Sequence, residues 1–268
     1  FGQYRRPFGF GGMTLASPVA YGEPFDWAEA DLRFEGDGVR VDGFEARKGD
    51  GLVTGAALIR WNGTYSVNVD GRDLAIDSIA AVTDPRVTLA GRLQFTLVGV
   101  GEFANPRYEM RGSIADLFVS NEIVGQVTGR ADVRDGVLGL EVEAASSRLA
   151  ISGSGRVDLM READAELLFR FTNTTLDPYV RVFVPDLPVE TTAVVSGTLR
   201  FEGSLRDVEQ LEVDAMVEQL ELTLFDYSVG NDGPVQIALA RNVVRIERMQ
   251  LSGEGTALEL TGQVGLGN

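Results

Sequence analysis

Four groups of residues in this chain have the types and spacing to do chemistry. Asp26, Glu29 and Asp31, and again Asp207, Glu209, Glu212 and Asp214, bring carboxylates close together in sequence, as the acid and base pair of glycoside hydrolysis requires. Gly99-Val100-Gly101-Glu102-Phe103-Ala104 fits the G-x-G-x-x-A dinucleotide fingerprint. Asp37, Asp50 and Asp232 each precede a glycine, a setting in which carboxylates can ligate calcium. Asn62-Gly63-Thr64 and Asn173-Thr174-Thr175 match the glycosylation acceptor pattern. Each has a plainer reading. The fingerprint works only where it opens a helix onto pyrophosphate, and Asn105-Pro106 ends any helix at once. Strand alternation places Glu212 and Asp214 on a solvated face. Neither an EF-hand loop nor a nonapeptide calcium repeat accompanies the aspartates, which read as turn formers.

The composition removes most other designs. The chain of 268 residues has no histidine and no cysteine. Ser-His-Asp and Cys-His sites, thiolate or imidazole zinc sites, haem ligation through either residue and disulfides are all excluded. The reading is of a protein that is not an enzyme and needs no cofactor and no metal. Forty acidic against 24 basic residues give a net charge of −16. That surface repels phosphate backbones, so nucleic acid is not an expected partner. Lys48 is the single lysine; every other positive side chain is arginine.

The elements that would position any site are strands. Period-2 alternation runs through Tyr65–Asp70, Leu93–Leu97, Leu199–Glu202, Leu211–Ala215, Leu220–Leu224 and Leu258–Thr261, putting apolar side chains on one face and polar ones on the other. Turn chemistry punctuates them at Asp37-Gly38, Gly49-Asp50-Gly51, Asn62-Gly63, Asp70-Gly71, Asp135-Gly136 and Asn231-Asp232-Gly233. Thr175 to Leu187 could hold a short helical or irregular crossing, limited to a turn or two by Pro178, Pro185 and Pro188. No apolar run approaches the ~18 residues of a transmembrane helix. The start, Phe1 to Arg6, has no initiating Met and no signal-type stretch, so the chain reads as an excerpt of something longer or a mature form.

The strands repeat. Val39, Val137 and Val243 each open a strand, a polar step and a second strand entered at Gly55, Gly155 and Gly262; the spacing is roughly 100 residues. A second phase pairs Ala90–Phe95 with Ser196–Phe201, and a third pairs Asp70–Leu74 with Thr172–Leu176. The expected organisation is an entry segment over residues 1–36 continuing from a longer chain, repeat units over residues 37–135 and 136–241, and the start of a third over residues 242–268. Stacked strands of this kind leave one apolar stripe that must be covered by a second sheet, by barrel closure, by lipid or by an apolar ligand. Its candidate lining is Val67, Leu93, Phe95, Leu97, Ile151, Leu167, Phe169, Phe171, Leu199, Phe201, Leu222, Ile237 and Leu260. Aliphatic and Phe side chains without a fixed polar group suit acyl chains, which gain ~0.8 kcal/mol per buried CH₂ and can slide between near-equivalent positions.

The glycine-led strands and turns at Gly91–Pro106 and Gly197–Val208, with the hairpin signature at Val39–Leu58, Val137–Leu159 and Val243–Leu266, resemble the TamB branch of the AsmA-like superfamily. Tyr21–Phe25 through Trp61–Tyr65 is also similar to segments of such chains. The resemblance covers nearly the whole sequence and implies an all-β fold: an elongated, repetitive antiparallel sheet of about twenty strands, curled into a taco-shaped, solenoid-like groove. It implies a segment of a periplasmic bridge, anchored in the inner membrane by a part of the chain not present here. Such a bridge carries phospholipid between the two membranes and has an outer-membrane barrel protein as a possible partner. Two alternatives stand beside it: a scaffold that chaperones strands of outer-membrane or secreted proteins by strand addition, and an outer-membrane barrel fragment, against which the scattered Phe and Tyr residues count.

Overall fold

The structure is a computed structural model that describes residues 2–3, 6–20, 22–80, 88–119, 122–160, 163–176, 191–205, 211–224, 227–253 and 255–265. The chain forms two units, Phe1–Leu138 and Gly139–Asn268. Among the described residues there is no α-helix, only a 3-10 turn at Ile76–Ser78, and the fold is antiparallel β as expected. The Thr175–Leu187 crossing lies almost entirely outside the described residues, as do Asp207 and Glu209.

The strands of the first unit are β1 (Gly2–Gln3), β2 (Arg6–Ala16), β3 (Val19–Ala20), β4 (Glu23–Pro24), β5 (Trp27–Glu35), β6 (Gly38–Lys48), β7 (Gly51–Arg60), β8 (Thr64–Ala75), β9 (Leu89–Glu102), β10 (Asn105–Val119) and β11 (Glu122–Arg134). The pair β3–β4 stands apart as a small hairpin, and the others follow one another as antiparallel neighbours. β12 (Val137–Ala145) begins at the unit boundary. The second unit continues with β13 (Ala150–Asp158), β14 (Asp164–Thr175), β15 (Thr191–Ser204), β16 (Glu212–Leu224), β17 (Tyr227–Asn231), β18 (Val235–Ala240), β19 (Val243–Gly253) and β20 (Thr256–Gly265). β17 and β18 share one lane, each pairing with β16 on one side and β19 on the other.

The short connections follow from turn chemistry. Asp135 and Gly136 both have positive φ, 53° and 77°, the pattern of a type I′ turn. Asn62 closes its turn by accepting the Thr64 N–H at 3.1 Å, and Gly63 takes φ 89°. One expected turn is not a turn. Asp70-Gly71 lies inside β8, where Gly71 is opposite Phe95 on β9, and the ring occupies the space a Cβ would need. The glycine there serves close packing, which composition cannot tell from a turn.

Two bulges sit near strand ends. Asp73 (φ 52°) interrupts the β8–β9 register just before buried Leu74, and Asn173 (φ 44°) interrupts β14–β15 just before buried Thr174. The two bulges are structural equivalents, which shifts the third phase of the sequence repeat by two residues relative to the match of Gly71 with Asn173.

Candidate functional site

In an antiparallel ladder, residues directly opposite share a face, so the register alone assigns the faces of each unit. In the first unit one row runs Leu32, Val41, Ala57, Val67, Gly99, Tyr108, Val133 across β5 to β11. A neighbouring row runs Ala28, Ala46, Val53, Gly71, Phe95, Gly112. Leu97 stands opposite Val69, and Leu93 opposite Leu74. In the second unit Gly153, Phe169, Leu199, Ala215, Ile237 and Ile246 form one row, and Ile151, Phe171, Gly197, Val217 and Val235 another. Leu167 and Phe201 are partners in a third, Leu222 faces Ala193 and Val229, and Leu260 faces Met249. Each of the thirteen candidate lining residues therefore lies on the apolar face of its own unit.

None of the thirteen is fully buried. Twelve are half-buried, and Leu260, on the terminal strand β20, is 42 % exposed. In a closed sandwich core, side chains at mid-strand inward positions lose nearly all contact with water. Here the thirteen keep part of their surface exposed, although the inward positions Ala28, Ala46, Val53 and Leu74 in the first unit and Val235 in the second are buried.

The faces are kept smooth by glycine. Phe169 lies against Gly153 and meets Phe201 edge to face with centroids 5.7 Å apart. Tyr108 lies against Gly99, and Phe95 against Gly71. In all three the ring and the glycine are direct cross-strand partners. A ring laid over a missing side chain covers backbone and presents a flat apolar surface.

Charge lies on the opposite face. Arg170, Glu212, Glu221 and Glu259 are exposed and Glu202 half-exposed, all at outward positions. Outward pairs include Arg156 with Glu166 at 2.8 Å and Arg200 with Glu202. Glu109 accepts from Arg111 and Arg130, each at 2.9 Å, and the Arg111 bond, with the charge of Arg130, holds its carboxyl below the ordinary value. The Glu35 bond raises Arg40 further above its already high value. Among the described strands, charge stands at an inward register position at two strand ends: Lys48, the last residue of β6, opposite Gly51, and Glu122, the first residue of β11, opposite Val119.

The chemical candidates dissolve into structure. Asp26 accepts the Gly49 N–H at 2.7 Å and fixes a turn. Glu29 and Asp31 are exposed on the outward face of β5, and Glu212 and Asp214 on that of β16. Asp37 pairs with Arg60, while Asp50 and Asp232 sit in tight turns. No cluster of carboxylates suited to a metal occurs among the described residues. The G-x-G-x-x-A stretch is the end of β9 and its hairpin turn. What sequence reasoning missed is the cover on one end of the first unit's face, built around Lys48. Its signal was the lone lysine two positions after Ala46 on an apolar alternation.

Comparisons with protein-family models, with curated proteins and with solved structures give no match to this chain.

Proposed function

We propose that the apolar faces of both units hold the acyl chains of phospholipid, as parts of a groove of the TamB-like bridge type that conducts lipid across a bacterial periplasm. The observation that carries this reading is the state of the thirteen lining residues: all inward in register, none fully buried. Large uncovered apolar patches on a folded chain mark surfaces that meet lipid or a partner. Support for lipid over a specific protein partner comes from the uniformity of the rows, which offer flat rings and aliphatic side chains and, apart from Lys48 and Glu122 at strand ends, no charge to fix one orientation. A chain on such a surface gains by burial and moves between near-equivalent positions. No residue needs to perform chemistry.

Phe169 tests this, with Arg170 on the opposite face as control. In a dry closed core Phe169→Asp buries an unpaired charge and unfolds the unit. On an open face water reaches the new carboxylate, and the expected loss is about 1–2 kcal/mol, part of the transfer energy of one ring. Phe169→Asp should keep a cooperative melt and lose co-purified phospholipid, measured by extraction and mass spectrometry, whereas Arg170→Asp should change neither. A photo-crosslinking residue at position 169 should give lipid adducts. Peptide adducts there would favour the scaffold reading, and an unfolded Phe169→Asp without adducts in the parent would leave an ordinary core.

A further inference from the structure

One end of the apolar face in the first unit is covered, and by very little. The β3–β4 hairpin crosses it as a strap whose strands pair only with each other among the described residues. Its base is tied by the Ser17 N–H to the Asp26 carbonyl and by the Phe25 N–H to the Pro18 carbonyl, each at 2.9 Å. Phe25 packs on a buried floor of Ala28, Ala46, Val53 and Leu74. Val19, at the strap's first strand, is 66 % exposed.

The latch is Lys48. Two positions after Ala46 it points onto the apolar face. Its ammonium lies 5.9 Å from the centroid of Phe25, donates to the Pro24 carbonyl at 2.7 Å and meets Glu23 Oε1 at 2.6 Å. Glu23 Oε2 accepts the Ala80 N–H at 2.9 Å, beyond the 3-10 turn. One carboxylate therefore clips two chain segments over the end of the face. A buried ion pair adds little net stability against an apolar substitute but is costly to break singly, which suits it to setting one of two arrangements.

The floor under the strap is not a separate pocket. Ala28, Ala46 and Val53 belong to the row that runs on through Gly71 to Phe95, and Phe95 is half-buried. We propose that the strap is a gate over the end of this acyl-chain track, latched by Lys48 and Glu23, and that phospholipid opens it by seating a chain where Phe25 now packs. This rests on the reading of the faces as lipid-binding. A ligand shifts such an equilibrium only through its preference for the open state, and the uncovered floor supplies that preference.

Amide hydrogen exchange on the unmodified 268-residue chain tests it, with and without phosphatidylethanolamine–phosphatidylglycerol vesicles. The reporters are the Phe25 and Ala80 amides, bonded across the strap and its clip; the Trp61 amide, bonded to the Asp37 carbonyl at 2.8 Å, is the control. Vesicles should speed exchange at Phe25 and Ala80 by about tenfold or more and leave Trp61 unchanged. Glu23→Gln should give the faster exchange at both sites without lipid. Lipid adducts at position 169 with unchanged Phe25 and Ala80 exchange would overturn the gate and leave the lipid reading standing. Exchange that rises at Trp61 as well would also overturn it, as general loosening. No lipid adduct at position 169 would remove both.

Discussion

The ring of Phe169 rests against Gly153, its direct partner across β13 and β14, so closely that a Cβ built on the glycine would lie 2.5 Å from two ring carbons. Phe95 and Gly71 repeat the arrangement in the first unit. These pairs set the height of the apolar faces, because the ring can lie down only where its neighbour has no side chain.

Gly153→Ala and Gly71→Ala should therefore each destabilise the protein by about 1–3 kcal/mol, the usual cost of forcing atoms into a packed site. Gly9→Ala is the contrast. Gly9 stands at an inward position on β2 opposite Phe34, with nothing within 4 Å of its missing Cβ, and alanine there should be neutral or stabilising by up to about 1 kcal/mol. Denaturant unfolding of the three variants is the measurement; equal effects would mean the rings do not depend on the glycines.

Most of this was legible from the residues, for a physical reason. The side-chain period of a strand is two, so a run such as Leu93-Gln94-Phe95-Thr96-Leu97 declares both faces without any knowledge of its partners, and Asp135-Gly136 declares its turn. Gly71 was misread because a glycine under a ring and a glycine in a turn look alike in sequence. The bulges at Asp73 and Asn173 left no clear signal either, since Asp and Asn with positive φ occur in turns as readily. The strap escaped because its contacts are between distant segments: Glu23 meets Lys48 and Ala80, a closure no local pattern encodes.

On the outward face, Glu109 makes a prediction about acid. Its carboxyl is held below the ordinary value of 4.5, first by the Arg111 bond and then by the charge of Arg130. A lowered folded-state value means the unfolded chain binds the proton more readily, so the stabilisation is complete above the unfolded value and is lost as pH falls through the folded one. The Tm difference between the parent and Glu109→Gln should be steady from neutral pH down to about 5 and close as pH drops below about 4. Added salt should shrink it at neutral pH, because the group is exposed. A gap that widens in acid would reverse the assignment.

Thr174 anchors the bulge on β14. Its hydroxyl accepts the Ala150 N–H at 3.3 Å and has the Ala150 and Thr172 carbonyls at the same distance, in a residue only 1 % exposed. Thr174→Val keeps the shape and strands the Ala150 N–H, an expected cost of about 1–3 kcal/mol. Faster exchange of the Ala150 amide, beyond the global change, is the specific sign; an unaltered amide would show that the hydroxyl is dispensable.

Tyr65 offers the sharpest local test, because one side chain ties three strands. From β8 it reaches past β9 to the backbone of Arg107 on β10, where its hydroxyl accepts the Arg107 N–H at 3.1 Å and donates to the Arg107 carbonyl at 3.3 Å. Its ring stacks with Phe103 at 5.1 Å and with Tyr108 at 5.6 Å, and the residue is 7 % exposed. Tyr65→Phe keeps the stacking and removes the hydroxyl, leaving both backbone groups of Arg107 to find other partners, so the stability loss should be about 1–2 kcal/mol. Tyr65→Ala removes the rings' common neighbour as well and should cost about 3–5 kcal/mol, in line with other large aromatic truncations. Amide exchange separates the two terms. In Tyr65→Phe the Arg107 amide should lose protection while those of Val67 and Val69, further along β8, keep theirs after correction for global stability. In Tyr65→Ala the loss should spread along β8, β9 and β10. If Tyr65→Phe left the Arg107 amide as protected as in the parent, the tie between the strands would have to come from stacking alone.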